Sequence, residues 1–242
     1  MSELIKIANN RENGITCSKY LDNLLAYEKE LVYYKTLDSI KILEIGVSGG
    51  GSLWMWKKYF PNSIVHGIDN NSHVYGPSKG NCKQWEDVSQ NVFVHIGSQD
   101  DTNFLTKINK EHGPFDIIID DGSHIMEHQK TSLFHLWPLL KDKGVYVIED
   151  LHTSYYPRHK GNIVGDLQNT SPENSTLSLL QSLPDKLHKQ YLPNHMDKDN
   201  MFYDTLYSIS FYDSICFLSK NINRIPTRKE NLTDNFRKKF IK

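Results

Sequence analysis

Four acids and one histidine stand at the ends of two short apolar runs. Phe115 to Ile119 opens into Asp120-Asp121-Gly122-Ser123-His124, and Val145 to Ile148 opens into Glu149-Asp150. If the two runs are adjacent strands, about 4.8 Å apart, their tips converge on one small volume. Carboxylates brought together there repel one another unless a cation intervenes, so the pattern describes a hard-cation site. Acids at strand tips also cap the helices that follow, and the metal reading rests on all four together. Oxygen donors favour Mg²⁺ or Mn²⁺ over Zn²⁺. His124 and His128 have the spacing of a helical zinc pair, but no Cys supports it and the Glu of His-Glu-x-x-His does not occur.

A third apolar run, Lys41 to Ile45, leads into Gly46-Val47-Ser48-Gly49-Gly50-Gly51-Ser52, a turn at which backbone can approach a ligand closely. Glu44 stands just before it, and Asp69 ends the next apolar run, where an acid accepts hydrogen bonds from both ribose hydroxyls of an adenosine. A nicotinamide dinucleotide would prefer Gly-x-Gly-x-x-Gly beneath its pyrophosphate. Here Ser48 replaces the middle glycine and Glu44 adds negative charge. An adenosine cofactor carrying an ammonium and a sulfonium fits those charges, so S-adenosylmethionine is the expected ligand. The expected contacts are Glu44, Gly46, Ser48, Gly50, Ser52 and Asp69.

Positioning these groups requires a sheet covered on both faces. The runs Ile40 to Ile45, Ile64 to Ile68, Val92 to Ile96, Phe115 to Ile119 and Val145 to Ile148 are continuously apolar, as parallel strands between two helical layers must be. Helical segments are expected over Ser18 to Tyr34, Ser52 to Tyr59, Asn103 to Glu111 and His128 to Leu140. In the first of these, Leu21, Leu24, Leu25, Leu31 and Val32 form the predicted packing face. Tyr207 to Phe211 and Ser214 to Leu218, with Tyr212-Asp213 between them, read as an antiparallel edge hairpin. The class is α/β: a doubly wound, Rossmann-like, mostly parallel sheet of seven strands. Residues 1–242 read as a single domain, with an N-terminal helical segment over 1–38. Residues 151–200, which hold a helical stretch from Ser175 to Leu192, read as a substrate-covering insertion.

Composition narrows the class further. The chain has 242 residues, 38% hydrophobic and 24% charged, with a net charge of -1, which argues against a dedicated nucleic-acid binder. The basic end, Arg237 to Lys242, reads as a solvated tail. Cys17, Cys82 and Cys216 are odd in number and lack CxxC spacing, as expected of a reducing, cytoplasmic compartment. The sequence contains neither an N-terminal apolar h-region nor a run approaching about 18 apolar residues, so no membrane span is expected. A homo-oligomer is compatible with the sequence.

FDIIIDDGSH, VIEDLHTSYY, LEIGVSGGGSLWMW and FYDSICFL together resemble the metal-dependent sugar O-methyltransferases of macrolide biosynthesis, the macrocin and mycinamicin type, and related bacterial enzymes of surface glycans. The resemblance runs from about Lys41 to Lys220 and implies the class I methyltransferase fold. It also implies metal ligation by Asp121, Glu149 and Asp150, a base at His124, a ribose contact at Asp69, and cofactor contacts at Gln99 and the adjoining Asp120. The family's Gly-Asp-Gln reads Gly97-Ser98-Gln99 here, and its Gly-Thr-Asp-Lys segment is replaced by divergent sequence over Asn10 to Tyr20. The expected activity is O-methylation of a sugar hydroxyl, dependent on S-adenosylmethionine and Mg²⁺ (or Mn²⁺). The Lys-, Asn- and Ile-rich composition tilts the substrate towards a nucleotide-sugar or surface glycan such as capsule or lipopolysaccharide. Methylation of a small phenol or catechol, and a non-catalytic cofactor-binding module, are the competing readings.

Overall fold

The computed structural model describes residues 2–10, 17–71, 81–156, 174–188, 201–202 and 204–222. Its strands are β1 (Lys41–Ile45), β2 (Ile64–Asp69), β3 (Val92–Ile96), β4 (Ile117–Asp120), β5 (Val145–Ile148), β6 (Leu206–Tyr212) and β7 (Ile215–Lys220). They form one sheet in the order β3-β2-β1-β4-β5-β7-β6. The five central strands run parallel, while β7 lies antiparallel to β5 and β6 antiparallel to β7. Chain order reverses between β1 and β4, and in doubly wound sheets ligands bind outside the carboxyl ends of the strands at that reversal. The edge hairpin turns at Asp213-Ser214, since Tyr212 pairs with Ile215.

Strand residues alternate between two cores. Ile42, Val65, Ile117 and Val147 face α1 (Glu3–Asn9), α2 (Leu21–Leu31) and α3 (Gly51–Tyr59). Leu43, Ile68, Ile118 and Tyr146 face α4 (Thr102–His112) and α5 (Met126–Leu136), with α6 (Thr176–Ser182) and α7 (Pro184–Leu187) beyond them. Both faces are therefore dry, which is why the strands carry no polar alternation. Helix α1 falls within the N-terminal segment expected to be helical; Ser2 caps it by accepting from the Ile5 N–H at 3.2 Å. Among the described residues, no helix is long and apolar enough to cross a membrane. The basic end Arg237 to Lys242, most of 151–200 and positions 11–16 lie outside the described residues.

The predicted packing face of α2 requires correction. Leu24 and Leu31 are buried as expected, but Leu21, Leu25 and Val32 are exposed, and Asn23, Ala26 and Tyr27 complete the inward face. Asn23 and Tyr27 are polar-bearing and reach Glu149 at the tip of β5, so apolarity alone located only part of the buried stripe.

Lys220 locks the antiparallel edge to the parallel half. From β7 its buried ammonium donates to the carbonyls of Trp137, Pro138 and Leu140, at 2.8, 3.0 and 2.7 Å. These carbonyls follow the C-terminus of α5, where a cation complements the helix dipole. Lys220→Met keeps the apolar stem but strands three buried acceptors, and should cost about 3 kcal/mol, read by urea unfolding. A loss within about 0.5 kcal/mol, typical of surface substitutions, would show that the carbonyls find other donors.

Candidate active site

Four strand tips are held together by backbone before any side chain acts. The Asp121 N–H donates to the Ile45 carbonyl, the Glu149 N–H to the Asp120 carbonyl and the Gly46 N–H to the Ile68 carbonyl, at 2.9, 2.9 and 2.8 Å. Gly46 sits at φ +96°, and a Cβ there would lie 2.0 Å from the Asp121 carbonyl oxygen. Only glycine permits this approach of the β1 and β4 tips. Gly50, also left-handed, begins α3; a Cβ on it would enter the Trp85 ring at 2.4 Å. The Trp85 indole N–H in turn donates to the Ser48 carbonyl at 3.2 Å. Asp69 knits the same turn from β2: one oxygen accepts from the N–H groups of Val47 and Ser48, at 2.9 and 3.0 Å, and the other from Asn71 at 2.7 Å.

The acids divide into an interior set and an open set. Asp120 is buried, accepting from Gln99 at 3.0 Å, from Ser132 at 2.5 Å and from Tyr146 at 3.3 Å. Burial pushes its carboxyl up, and the Ser132 and Gln99 donors oppose that shift. Gln99 uses its amide oxygen to accept from the Ser123 N–H at 2.7 Å, so this pair braces the loop that carries His124. Glu44 is likewise interior, accepting from Ser52 Oγ at 2.7 Å and Trp56 Nε1 at 3.1 Å. The sequence-expected cofactor residues Glu44, Ser52, Gln99 and Asp120 thus bond to one another or to the loops. Gly46, Ser48, Gly50 and Asp69 shape the turn itself.

Asp121, His124 and Asp150 form the open set. One ligand atom from each lies within 4.8 Å of the others. His124 Nε2 is 3.3 Å from Asp150 Oδ2 and 4.0 Å from Asp121 Oδ1, and all three side chains are a fifth to a quarter exposed. His124 and Asp150 both have φ +55°, a left-handed conformation costly for residues with a Cβ. Neither acid caps the segment after it, since no side chain caps α5 or the 3-10 turn Leu151–Tyr155. The helical His124–His128 pairing does not form, because α5 begins only at Met126 and His128 bonds Ser123 Oγ at 3.0 Å. His152 Nδ1 lies 2.5 Å from Ser214 Oγ on the edge hairpin and 4.0 Å from Asp150 Oδ1, forming one wall of the site.

Glu149 stands apart from that trio. It is buried and accepts from Lys19 at 2.5 Å, from the Tyr27 hydroxyl at 2.5 Å and from Asn23 at 3.4 Å. Lys19 also reaches Asp121 at 2.8 Å and Glu44 at 3.1 Å. Burial works to lower the Lys19 pKa, yet the surrounding carboxylates of Asp121, Glu149 and Glu44 outweigh it and raise it well above the usual lysine range. Burial raises Glu149 as well; Asp121 adds to that shift and Lys19 opposes it. Sequence reasoning missed Lys19, Asn23 and Tyr27. Its one available signal was a lysine and a tyrosine on an otherwise apolar helical approach, indistinguishable from a solvated face until the fold is known.

Residues 43–151 match a family model described as a methyltransferase domain. The demethylmacrocin O-methyltransferase of Streptomyces fradiae is 33% identical over 207 residues, 81% of this chain and 48% of its own length. The mycinamicin VI 2''-O-methyltransferase of Micromonospora griseorubida is 35% identical over 214 residues, 83% of this chain and 49% of its own. A solved structure of the MycE methyltransferase from the mycinamycin pathway, in complex with Mg and SAH, superposes with a TM-score of 0.74 at 30% identity. That match covers 97% of this chain and 59% of the other. The chain spans about half the length of the curated relatives it matches.

Lys19 generates a pH-dependent expectation. Its ammonium stabilises the fold at all pH values below its raised pKa, so it is fully charged between pH 5 and 8. In Lys19→Met the buried acids lose their counter-ion. Because burial already raises Glu44 and Glu149, they protonate as pH falls and the repulsion relaxes. The variant should therefore lose about 3 to 5 kcal/mol at pH 8 and clearly less at pH 5, measured by urea unfolding in EDTA. Equal losses at both pH values would show that charge is not what Lys19 supplies.

Proposed function

We propose that the chain is an O-methyltransferase of the macrocin and mycinamicin type and that it methylates a sugar hydroxyl, using S-adenosylmethionine and Mg²⁺. The observation that carries the reading is the open trio of Asp121, His124 and Asp150 beside a glycine turn. Two carboxylates exposed at adjacent strand tips suit a hard divalent ion, and the third acid, Glu149, is within reach only by exchanging Lys19. Asp121 and Asp150 would hold the metal, and the turn from Gly46 to Ser52 with Asp69 would hold the cofactor. Bound there, the ion lowers the pKa of a hydroxyl and the cofactor supplies the methyl group.

His124 performs the proton transfer. An aliphatic hydroxyl ionises not far below water, pKa about 15.7, so forming alkoxide at neutral pH costs on the order of 10 kcal/mol. His124 Nε2 would take the hydroxyl proton, becoming an imidazolium, as the sugar oxygen accepts the methyl group that the bound cofactor would supply. Asp150, 3.3 Å from Nε2, stabilises that imidazolium. Lys19 and the interior acids keep the tips from spreading while charge moves.

The relatives' names place their methyl groups on sugars of macrolides and tetracenomycins, for example an L-olivosyl-oleandolide and a rhamnosyl tetracenomycin. The substrate proposed here is accordingly a sugar already attached to a natural-product scaffold. None of the relatives cited here supports a capsule, lipopolysaccharide or nucleotide-sugar setting. Residues 151–200, directly after Asp150, are proposed to cover that substrate, with 151–156 and 174–188 as their described portion.

His124→Gln should bind S-adenosylmethionine as the parent does in calorimetry, yet lose about 10² to 10⁴ in single-turnover rate on a glycosylated macrolide acceptor. A loss under about threefold would remove His124 as the base. EDTA should abolish turnover and Mg²⁺ restore it, with cofactor affinity unchanged. Full activity in metal-free buffer would overturn the metal assignment.

A further inference from the structure

A second group of ligand-bearing side chains lies on the other limb of the sheet. His66 is in the middle of β2, His95 two positions along on the same face of β3, and His112 ends α4, which packs over both. One ring nitrogen from each falls within 4.8 Å of the others. We propose that these three imidazoles form a Zn²⁺ site, independent of the active site, that ties the edge strand β3 to β2 and α4.

Geometry supports this first. His66 Nδ1 and His95 Nε2 are 3.1 Å apart. Two imidazole nitrogens at about 2.0 to 2.1 Å from a tetrahedral ion are separated by about 3.3 Å, so this pair already has ligand spacing. The His112 ring lies 4.7 Å from that of His66 and 4.6 Å from that of His95, centroid to centroid. One of its ring nitrogens lies within 4.8 Å of a nitrogen of each of the other two rings. His66 is buried while His95 and His112 are half-buried, so the fourth position opens outward, as a water ligand requires. Glu111 Oε2, 3.8 Å from His112 Nε2, is placed to orient that ring, the outer support that zinc-bound histidines usually have.

Chemistry supports it second. A metal binds the neutral imidazole, and burial, together with the neighbouring histidines, holds His66 down to about 3; burial with His112 and Lys83 holds His95 down to about 4. Both are therefore deprotonated ligands well below neutral pH. An ion at the centre of the cluster would use one lone pair from each ring. Three nitrogen donors with no carboxylate among them select a borderline ion over Mg²⁺, so the two sites differ in preference as well as position.

The test is a Zn²⁺ titration of the full chain in an Asp150→Asn background, which removes one donor from the other candidate metal trio. One equivalent should bind at micromolar concentration and raise the melting temperature. Co²⁺ as a probe should give the intense visible bands of a tetrahedral ion. Adding His112→Ala, at the half-buried helix end, or His95→Gln should weaken Zn²⁺ binding by at least a hundredfold and abolish the bands. His112→Ala alone should leave Mg²⁺-supported activity at the parent level. No binding by the parent, or undiminished binding by both histidine variants with native circular dichroism, would overturn the proposal.

Discussion

A single ammonium governs the arrangement of this site. Lys19 lies among Glu44, Asp121 and Glu149, contributed by the tips of β1, β4 and β5. Three carboxylates confined to that volume would force one another to protonate or to separate. One buried cation lets them stay ionised and adjacent, and it fixes how closely α2 and the segment before it approach the sheet. The compensation is incomplete by design of the charges: one ammonium against three acids leaves negative potential, which the neighbouring Asp150 increases. A divalent ion entering at the open side meets a field already directed towards it.

The same interaction separates structural from exposed acids. Asp120, Glu44 and Glu149 have their oxygens occupied by protein donors, whereas Asp121 faces both ways and Asp150 faces His124 and His152. Interior acids of this kind position loops and are costly to remove. Only the outward pair has lone pairs directed at solvent. Charge count in the sequence treats all five acids alike.

Much of the scaffold was legible because continuous apolar runs have one physical interpretation when bounded by turns. Val92 to Ile96 and Val145 to Ile148 coincide with β3 and β5, and the reversal to an antiparallel edge followed from a short turn between two strand-like runs. The acids at the tips were equally visible. Their division was not, because it depends on Lys19, 102 residues from Asp121 in sequence, and on Tyr27, 122 residues from Glu149. The left-handed backbone at His124 and Asp150 was also hidden, since neither residue type announces it. The face of α2 was only partly legible for a related reason: Leu24 and Leu31 turn inward as expected, but so do Asn23 and Tyr27, which serve Glu149, and hydrophobic periodicity treats such residues as solvent-facing.

Gly46 carries a consequence for how variation at such a turn should be interpreted. Its missing side chain is required by the carbonyl of Asp121, 2.0 Å from where a Cβ would stand, in the protein without any ligand. Invariance of this glycine across a set of homologues would therefore record the fit of two neighbouring strands, and it would persist in descendants that had lost the cofactor altogether. A pseudoenzyme with an intact glycine turn is consequently not a contradiction. The positions that would drift first in such a lineage are those the fold does not need, Asp150 and His124, whose strained backbone confers no packing advantage once the chemistry is gone.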